Sequence, residues 1–178
     1  MVRFNNNKIG IFGGSFDPAH LGHLEISKIA IIILSLNKLY WCVTKKNPFK
    51  KKTFFSLSER VQKSKILTNK IKKIKIKYFE DKIKSTNTID LIKYLKKKNK
   101  NKILFLIIGS DNLINFHKWK EWKLITELTK IVVFSRKHYD IKAKKSAILN
   151  KMKKIIFIKN KLINFSSTQI RKKNHHNS

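Results

Sequence analysis

The sequence predicts a single α/β domain built on a doubly wound, mainly parallel sheet flanked by helices. Three observations lead there. Short apolar runs alternate along the chain with segments of helical period. The run Lys102–Ile108 is nearly all apolar, as a strand buried on both faces of a parallel sheet would be. Glycines close two strand-like runs, at Gly13-Gly14 and at Gly109. In open parallel sheets ligands bind beyond the carboxyl ends of strands, where the strand order reverses, so both glycine sites can face one cleft.

In chain order, Lys8–Phe12 reads as a first strand ending in Gly13-Gly14, followed by a helix from Leu21 to Leu36 and a strand at Leu39–Thr44. Asn47-Pro48 opens a basic loop, and Leu57–Leu67 is helical with Ser58 available as N-cap. Ile74–Phe79 alternates as a strand. Thr88–Lys97 is a helix with Ile89, Ile92 and Leu95 on one side and Asn87 or Thr88 near its start. After the buried strand come a strand at Ile131–Phe134, a helix around Ile141–Met152, a strand at Ile155–Lys159 and a short helix after Phe165. Residues 8–171 are expected to form the domain, with short flexible termini at 1–7 and 172–178.

At 178 residues and 42% hydrophobic content the chain can bury a core. Its net charge of +32 points to polyanions such as nucleic acid, membrane surfaces or phosphorylated substrates. The lysines, however, are spread over nearly every segment, and arginine, the usual base-reading residue, is scarce: Arg3, Arg60, Arg136 and Arg171. No specific nucleic-acid partner is therefore expected. Cys42 is the sole cysteine, which excludes an internal disulfide and suits a reducing, cytoplasmic compartment. Its apolar neighbours predict a buried, inert thiol. No signal peptide is seen at the start, and the run Ile29–Leu36 is far short of the ~20 residues that span a bilayer. No membrane partner is expected, and a homo-oligomer is allowed for.

The strand-to-helix turn reads Gly13-Gly-Ser15-Phe16-Asp17-Pro-Ala-His20-Leu-Gly-His23. Its glycines permit positive φ and let backbone N–H groups approach an anion. His20 and His23, three apart at a helix start, share a face where unpaired N–H groups and the helix dipole favour phosphate. Two histidines with no further ligand, and a cysteine with no cysteine partner, give no metal site. Asp17 suits turn capping. Near the other end stands Phe165-Ser-Ser167-Thr168-Gln-Ile-Arg171, where a serine can cap a helix, Thr168 can donate to phosphate, and the Arg171 guanidinium would point at the same anion.

Together the two segments closely resemble the (H/T)xGH nucleotidyltransferase superfamily, with its Rossmann-like fold and its ISSTxIR box. The resemblance implies that Gly13, Gly14, Ser15, Phe16, His20, His23, Ser167, Thr168 and Arg171 bind ATP, with His20, His23 and Arg171 catalytic. Further stretches resemble the bacterial nicotinate-nucleotide adenylyltransferase branch: Ile107-Ile-Gly109-Ser-Asp111-Asn-Leu113, Phe116-His-Lys-Trp119, Asn87-Thr88-Ile-Asp90, and the strand Ile131–Arg136. That branch transfers AMP from ATP to nicotinate mononucleotide, giving deamido-NAD and pyrophosphate, with magnesium carried on the ATP phosphates and no tightly bound cofactor. On this resemblance Trp119 stacks on the pyridine ring or else anchors a surface helix, and Thr88 with the N–H groups after Gly109 bonds the ring carboxylate. Asp111 accepts from a ribose hydroxyl or holds its loop. Arg136 joins the acceptor site or pairs with Asp140, Lys50 joins the acceptor site or is an extra phosphate clamp, and Trp122 is core.

The sequence departs from the family in three places. Asn47-Pro-Phe-Lys50 stands where PPHK is common, Asn87 replaces a tyrosine, and the chain stops soon after Arg171. A pantetheine-phosphate adenylyltransferase would share both phosphate segments but not the Phe116–Trp119 and Ile107–Leu113 stretches. A basic nucleic-acid-binding protein rests on charge alone.

Overall fold

The structure, a computed structural model, describes residues 7–45, 53–136, 138–145 and 155–159. Six strands form one all-parallel sheet: β1 (Lys8–Gly14), β2 (Lys38–Val43), β3 (Ile74–Lys77), β4 (Ile103–Gly109), β5 (Lys130–Phe134) and β6 (Ile155–Ile158). Their order is β3-β2-β1-β4-β5-β6. The chain winds outward from β1 to β3, then crosses back to lay β4 against the other side of β1. The order thus reverses between β1 and β4, whose carboxyl ends carry Gly13-Gly14 and Gly109.

The period-2 alternation of the strands divides the core in two. Ile9, Ile11, Cys42, Leu104, Leu106, Ile108, Ile131 and Val133 join Ile89, Ile92 and Leu95 of α4 (Thr88–Lys98) on one face. Phe12, Leu39, Trp41, Val43, Phe105, Ile107, Val132 and Phe134 point to the other, beneath α1 (Leu21–Ile33) and α2 (Leu57–Thr68). Every residue from Leu104 to Ile108 is buried, as its apolar run requires. Cys42 is buried, and that burial raises its thiol pKa well above the usual range.

Several boundaries differ from the sequence expectation. Helix α1 stops at Ile33 rather than Leu36 because Ser35 takes a left-handed φ of 52° and the Leu36 N–H closes back on the Ile31 carbonyl at 3.0 Å. Helix α2 is capped by Ser56, not Ser58: the Ser56 hydroxyl accepts from the Glu59 N–H at 3.3 Å, and the Glu59 carboxylate accepts from the Ser56 N–H at 2.8 Å. β3 ends at Lys77, and a short helix α3 (Glu80–Ile83) follows. Between β4 and β5 lie α5 (Ser110–Ile114), a 3-10 turn at Phe116–Lys118 and α6 (Trp122–Leu128), none of which the sequence pattern had assigned. α7 spans Asp140–Lys144 with Lys145 as its C-cap, and positions 146–152 of the expected helix, like the helix expected after Phe165, fall outside the described residues. Among the described residues no helix is long and apolar enough to cross a membrane.

Candidate active site at the reversal of strand order

His20 occupies the N-cap of α1 in extended conformation, and His23 sits one turn in. The two rings are 3.9 Å apart, centroid to centroid. His20 Nδ1 accepts from the Gly22 N–H at 3.2 Å, and His23 Nδ1 accepts from the His20 N–H at 3.3 Å. The imidazoles thus do the capping work usually left to Ser, Asp or Glu side chains. An Nδ1 that accepts a backbone hydrogen carries none itself, so in the neutral ring the proton sits on Nε2. Both histidines therefore present Nε2–H as a donor. The Nε2 of His20 is buried and has no hydrogen-bond partner among the described residues. Burial, aided by the positive charge of Arg136, lowers the His20 pKa to about 4.

Below the histidines lies an aromatic floor. Phe16 stacks on Trp41, with centroids 4.6 Å apart and planes 5° from parallel, and His23 rests 5.0 Å from Phe16 and 6.1 Å from Trp41. The Trp41 indole donates to Ser27 Oγ at 2.7 Å, and that hydroxyl donates to the His23 carbonyl at 2.8 Å. The Phe16 ring is 1% exposed and belongs to the core. The glycines differ from expectation. No glycine among the described residues has positive φ, and the left-handed position of the turn is Phe16 itself, with φ 46°. Space, not φ, is what the first glycine supplies: a Cβ on Gly13 would meet nothing within 4 Å, whereas one on Gly14 would touch the Phe16 ring at 3.4 Å.

Asp17, expected to cap its own turn, reaches much further. Its carboxylate, 2% exposed, accepts from the Phe54 and Phe55 N–H groups at 2.8 and 2.9 Å. Beside it lies Arg60, which the sequence offered only as one of four arginines. It is 1% exposed and donates to four backbone carbonyls: Phe55 at 3.1 Å, Ser15 at 2.7 Å, Thr44 at 2.7 Å and Lys45 at 2.9 Å. Backbone acceptors leave no trace in a sequence, so the only available sign was an arginine one turn into a helix.

The ends of β4 and β5 supply the facing wall. The Arg136 guanidinium pairs with the Asp111 carboxylate at 2.5 Å rather than with Asp140, which instead accepts from the Arg136 backbone N–H at 3.0 Å. That N–H also reaches Ser110 Oγ at 3.0 Å. The other Asp111 oxygen is buried with no hydrogen-bond partner among the described residues. A Cβ on Gly109 would overlap that oxygen. β4 lies parallel beside β1, and β5 beside β4, so the carboxyl ends of these strands bring Gly13, His20, His23, Gly109, Asp111 and Arg136 to one edge of the sheet.

Trp119 and Thr88 stand on neighbouring elements. Trp119 is half-buried against Phe116 at 5.0 Å, and Trp122 is half-buried at the core margin. Thr88 opens α4, half-buried. Asn87 occupies the N-cap of that helix without capping it, bonding instead to Ser85 at 3.1 Å and Asp90 at 3.3 Å. Lys50, Ser167, Thr168 and Arg171 lie outside the described residues. Among the described residues no group of three or more His, Cys, Asp or Glu side chains could hold a metal ion.

Known proteins share this fold and resemble the chain in sequence. The sequence model of the cytidylyltransferase-like family matches residues 11–173. A Pelagibacter ubique protein named probable nicotinate-nucleotide adenylyltransferase is 48% identical, covering 97% of this chain and 99% of its own. An Aquifex aeolicus protein of the same name is 33% identical over 89% of this chain and 98% of its own. The solved nicotinic acid mononucleotide adenylyltransferase of Plasmodium falciparum, complexed with NaAD, superposes with a TM-score of 0.76 at 26% identity, covering 93% of this chain and 83% of that one. On the sequence of its β1–α1 turn, its strand order and these near full-length matches, the chain belongs to the nicotinate-nucleotide adenylyltransferase family.

Proposed function

We propose that this chain transfers the adenylyl group of ATP to the phosphate of nicotinate mononucleotide, releasing pyrophosphate, with His20 and His23 as the phosphate-facing donors. The observation that carries the assignment of roles is the pair of Nδ1-anchored imidazoles at the reversal of strand order. A phosphate oxygen of nicotinate mononucleotide attacks the α-phosphorus of ATP. The bond from that phosphorus to the α,β-bridging oxygen breaks, and the electron pair leaves with pyrophosphate. The nucleophile is already ionised at neutral pH, so no protein base is needed, and catalysis reduces to alignment and stabilisation of developing charge.

Each histidine has a part in that stabilisation. Because His20 is held neutral near pH 7, it acts as a hydrogen-bond donor rather than as a cation. Its buried Nε2–H gains an acceptor when a phosphate oxygen arrives. His23, held by the Phe16–Trp41 floor, supplies a second donor. The N-terminus of α1 adds its dipole. Magnesium enters on the ATP phosphates. Ser167, Thr168 and Arg171 are assigned to the triphosphate, and Thr88, Gly109, Asp111, Trp119, Arg136 and Lys50 to the acceptor, on the family resemblance. The unpartnered Asp111 oxygen suits a ribose hydroxyl.

A pyrophosphate-release assay with ATP and a panel of acceptors tests the function. Release should require nicotinate mononucleotide. Release with pantetheine phosphate in its place, or with no acceptor discrimination, would contradict the proposal.

A further inference from the structure

We propose that Arg60 is a positioning residue for ATP, holding the phosphate-side turn in its binding conformation through the Ser15 carbonyl. The inference rests on the reading that ATP phosphates lie against the β1–α1 turn. One guanidinium joins three segments: the turn after β1, at Ser15; the end of β2, at Thr44 and Lys45; and the approach to α2, at Phe55. Asp17 ties the first of these to the third through the Phe54 and Phe55 N–H groups. Glu80 ties the second to α3 by accepting from the Lys45 N–H at 3.1 Å. Arg60 is buried, with its guanidinium fixed by four backbone carbonyls. Its desolvation is offset only if the whole arrangement stays in place.

The geometry of the Ser15–Phe16 peptide gives this clamp a consequence for ligand binding. The bond is trans, so its C=O and N–H point in opposite directions. With the Ser15 carbonyl held on Arg60, the Phe16 N–H is turned away from the guanidinium. The left-handed φ of 46° at Phe16 is the backbone setting that accompanies this. No hydrogen bond joins the Phe16 N–H to an acceptor among the described residues. A backbone donor without a protein partner at a turn is free to take an anion, and a bound phosphate supplies the acceptor. Arg60 thereby acts on phosphate through a peptide group it never shares with the ligand.

The sequence contains one Ser-Phe step, at Ser15-Phe16, so protein labelled with carbonyl-13C serine and 15N phenylalanine yields a single selected amide resonance. Titration of the full chain with α,β-methylene ATP, with binding followed by calorimetry on the same sample, should move that resonance. Arg60→Lys keeps the charge but loses the planar fork. It should weaken analogue binding roughly 10- to 100-fold, about 1.4–2.7 kcal/mol, while the KM for nicotinate mononucleotide stays within about twofold of wild type. Analogue binding that leaves the amide unmoved would overturn the proposal alone. So would a folded Arg60→Lys variant with wild-type analogue affinity, and if that variant does not fold, the wild-type titration decides. Absence of analogue binding to the wild-type chain would overturn the functional reading and this proposal together.

Discussion

His20 and His23 cap their own helix by mutual arrangement, each spending Nδ1 on a backbone N–H, at 3.2 and 3.3 Å, which leaves the proton of each neutral ring on Nε2. Replacing His23 by alanine removes a donor aimed at developing charge, for which losses of ~10²–10³ in kcat are typical. The same change removes one cap hydrogen bond, about 0.5–2 kcal/mol. Steady-state kinetics should therefore show a large drop in kcat, while the melting temperature falls by no more than about 2–8 °C. A melting shift without a kinetic loss would leave His23 a structural cap only.

The depressed pKa of His20 makes stability depend on pH with a definite sign. The folded value is about 4 against an ordinary 6.5, so the unfolded chain binds the extra proton first as pH falls. The stability associated with neutral His20 is fully present above about pH 6.5 and is lost progressively toward pH 4. For one group the slope is at most about 1.4 kcal/mol per pH unit. Denaturant melts at pH 7 and pH 5 should show wild type losing more stability than His20→Asn, which retains a capping side chain without a titrating ring.

Gly109 and Asp111 are coupled by lack of room. A Cβ at 109 overlaps the buried Asp111 oxygen, so Gly109→Ala must displace that carboxylate and strain its pairing with Arg136. Overpacking of this kind costs about 1–3 kcal/mol. The Asp111–Arg136 pair itself is partly solvated, and Asp111→Asn should cost only ~0–1 kcal/mol. Both variants are expected to raise the KM for nicotinate mononucleotide at least several-fold with a smaller change for ATP. Equal changes for both substrates would detach Asp111 from the acceptor.

Trp119 is held by Phe116 at 5.0 Å yet is only half-buried, leaving ring surface for a ligand. Trp119→Ala should weaken acceptor binding more than ATP binding, whereas Trp119→Phe should retain most of it. Separate KM measurements for the two substrates decide between stacking and simple anchoring of the helix that follows.

The sheet was legible because its signal is local: Ile9, Ile11 and Phe12, or Leu104 to Ile108, state their burial by type alone. The histidine pair was legible through spacing. What escaped was long-range or short-lived. The partners of Asp17 lie 37 and 38 residues away, and those of Arg60 are carbonyls that any residue type supplies. The helical pieces between β4 and β5 have five, three and seven residues, too few to display a period. The placement of Ser56 over Ser58 as cap was recoverable, since Ser56 and Glu59 have the three-residue spacing of a capping box. The left-handed turn residue was misplaced because glycine is the default for positive φ, and here Phe16, next to the clamped Ser15 carbonyl, takes it instead.

The most direct test of the account is the 15N chemical shift of the imidazole nitrogens of His20 and His23, recorded near pH 7 with and without α,β-methylene ATP. Neither ring should be an Nδ1–H tautomer in the free protein, and both Nε2 resonances should shift on binding while the Nδ1 resonances stay close to their free values. Nδ1–H tautomers, or Nε2 signals unmoved by saturating nucleotide, would contradict the claim that these two edges grip the phosphates.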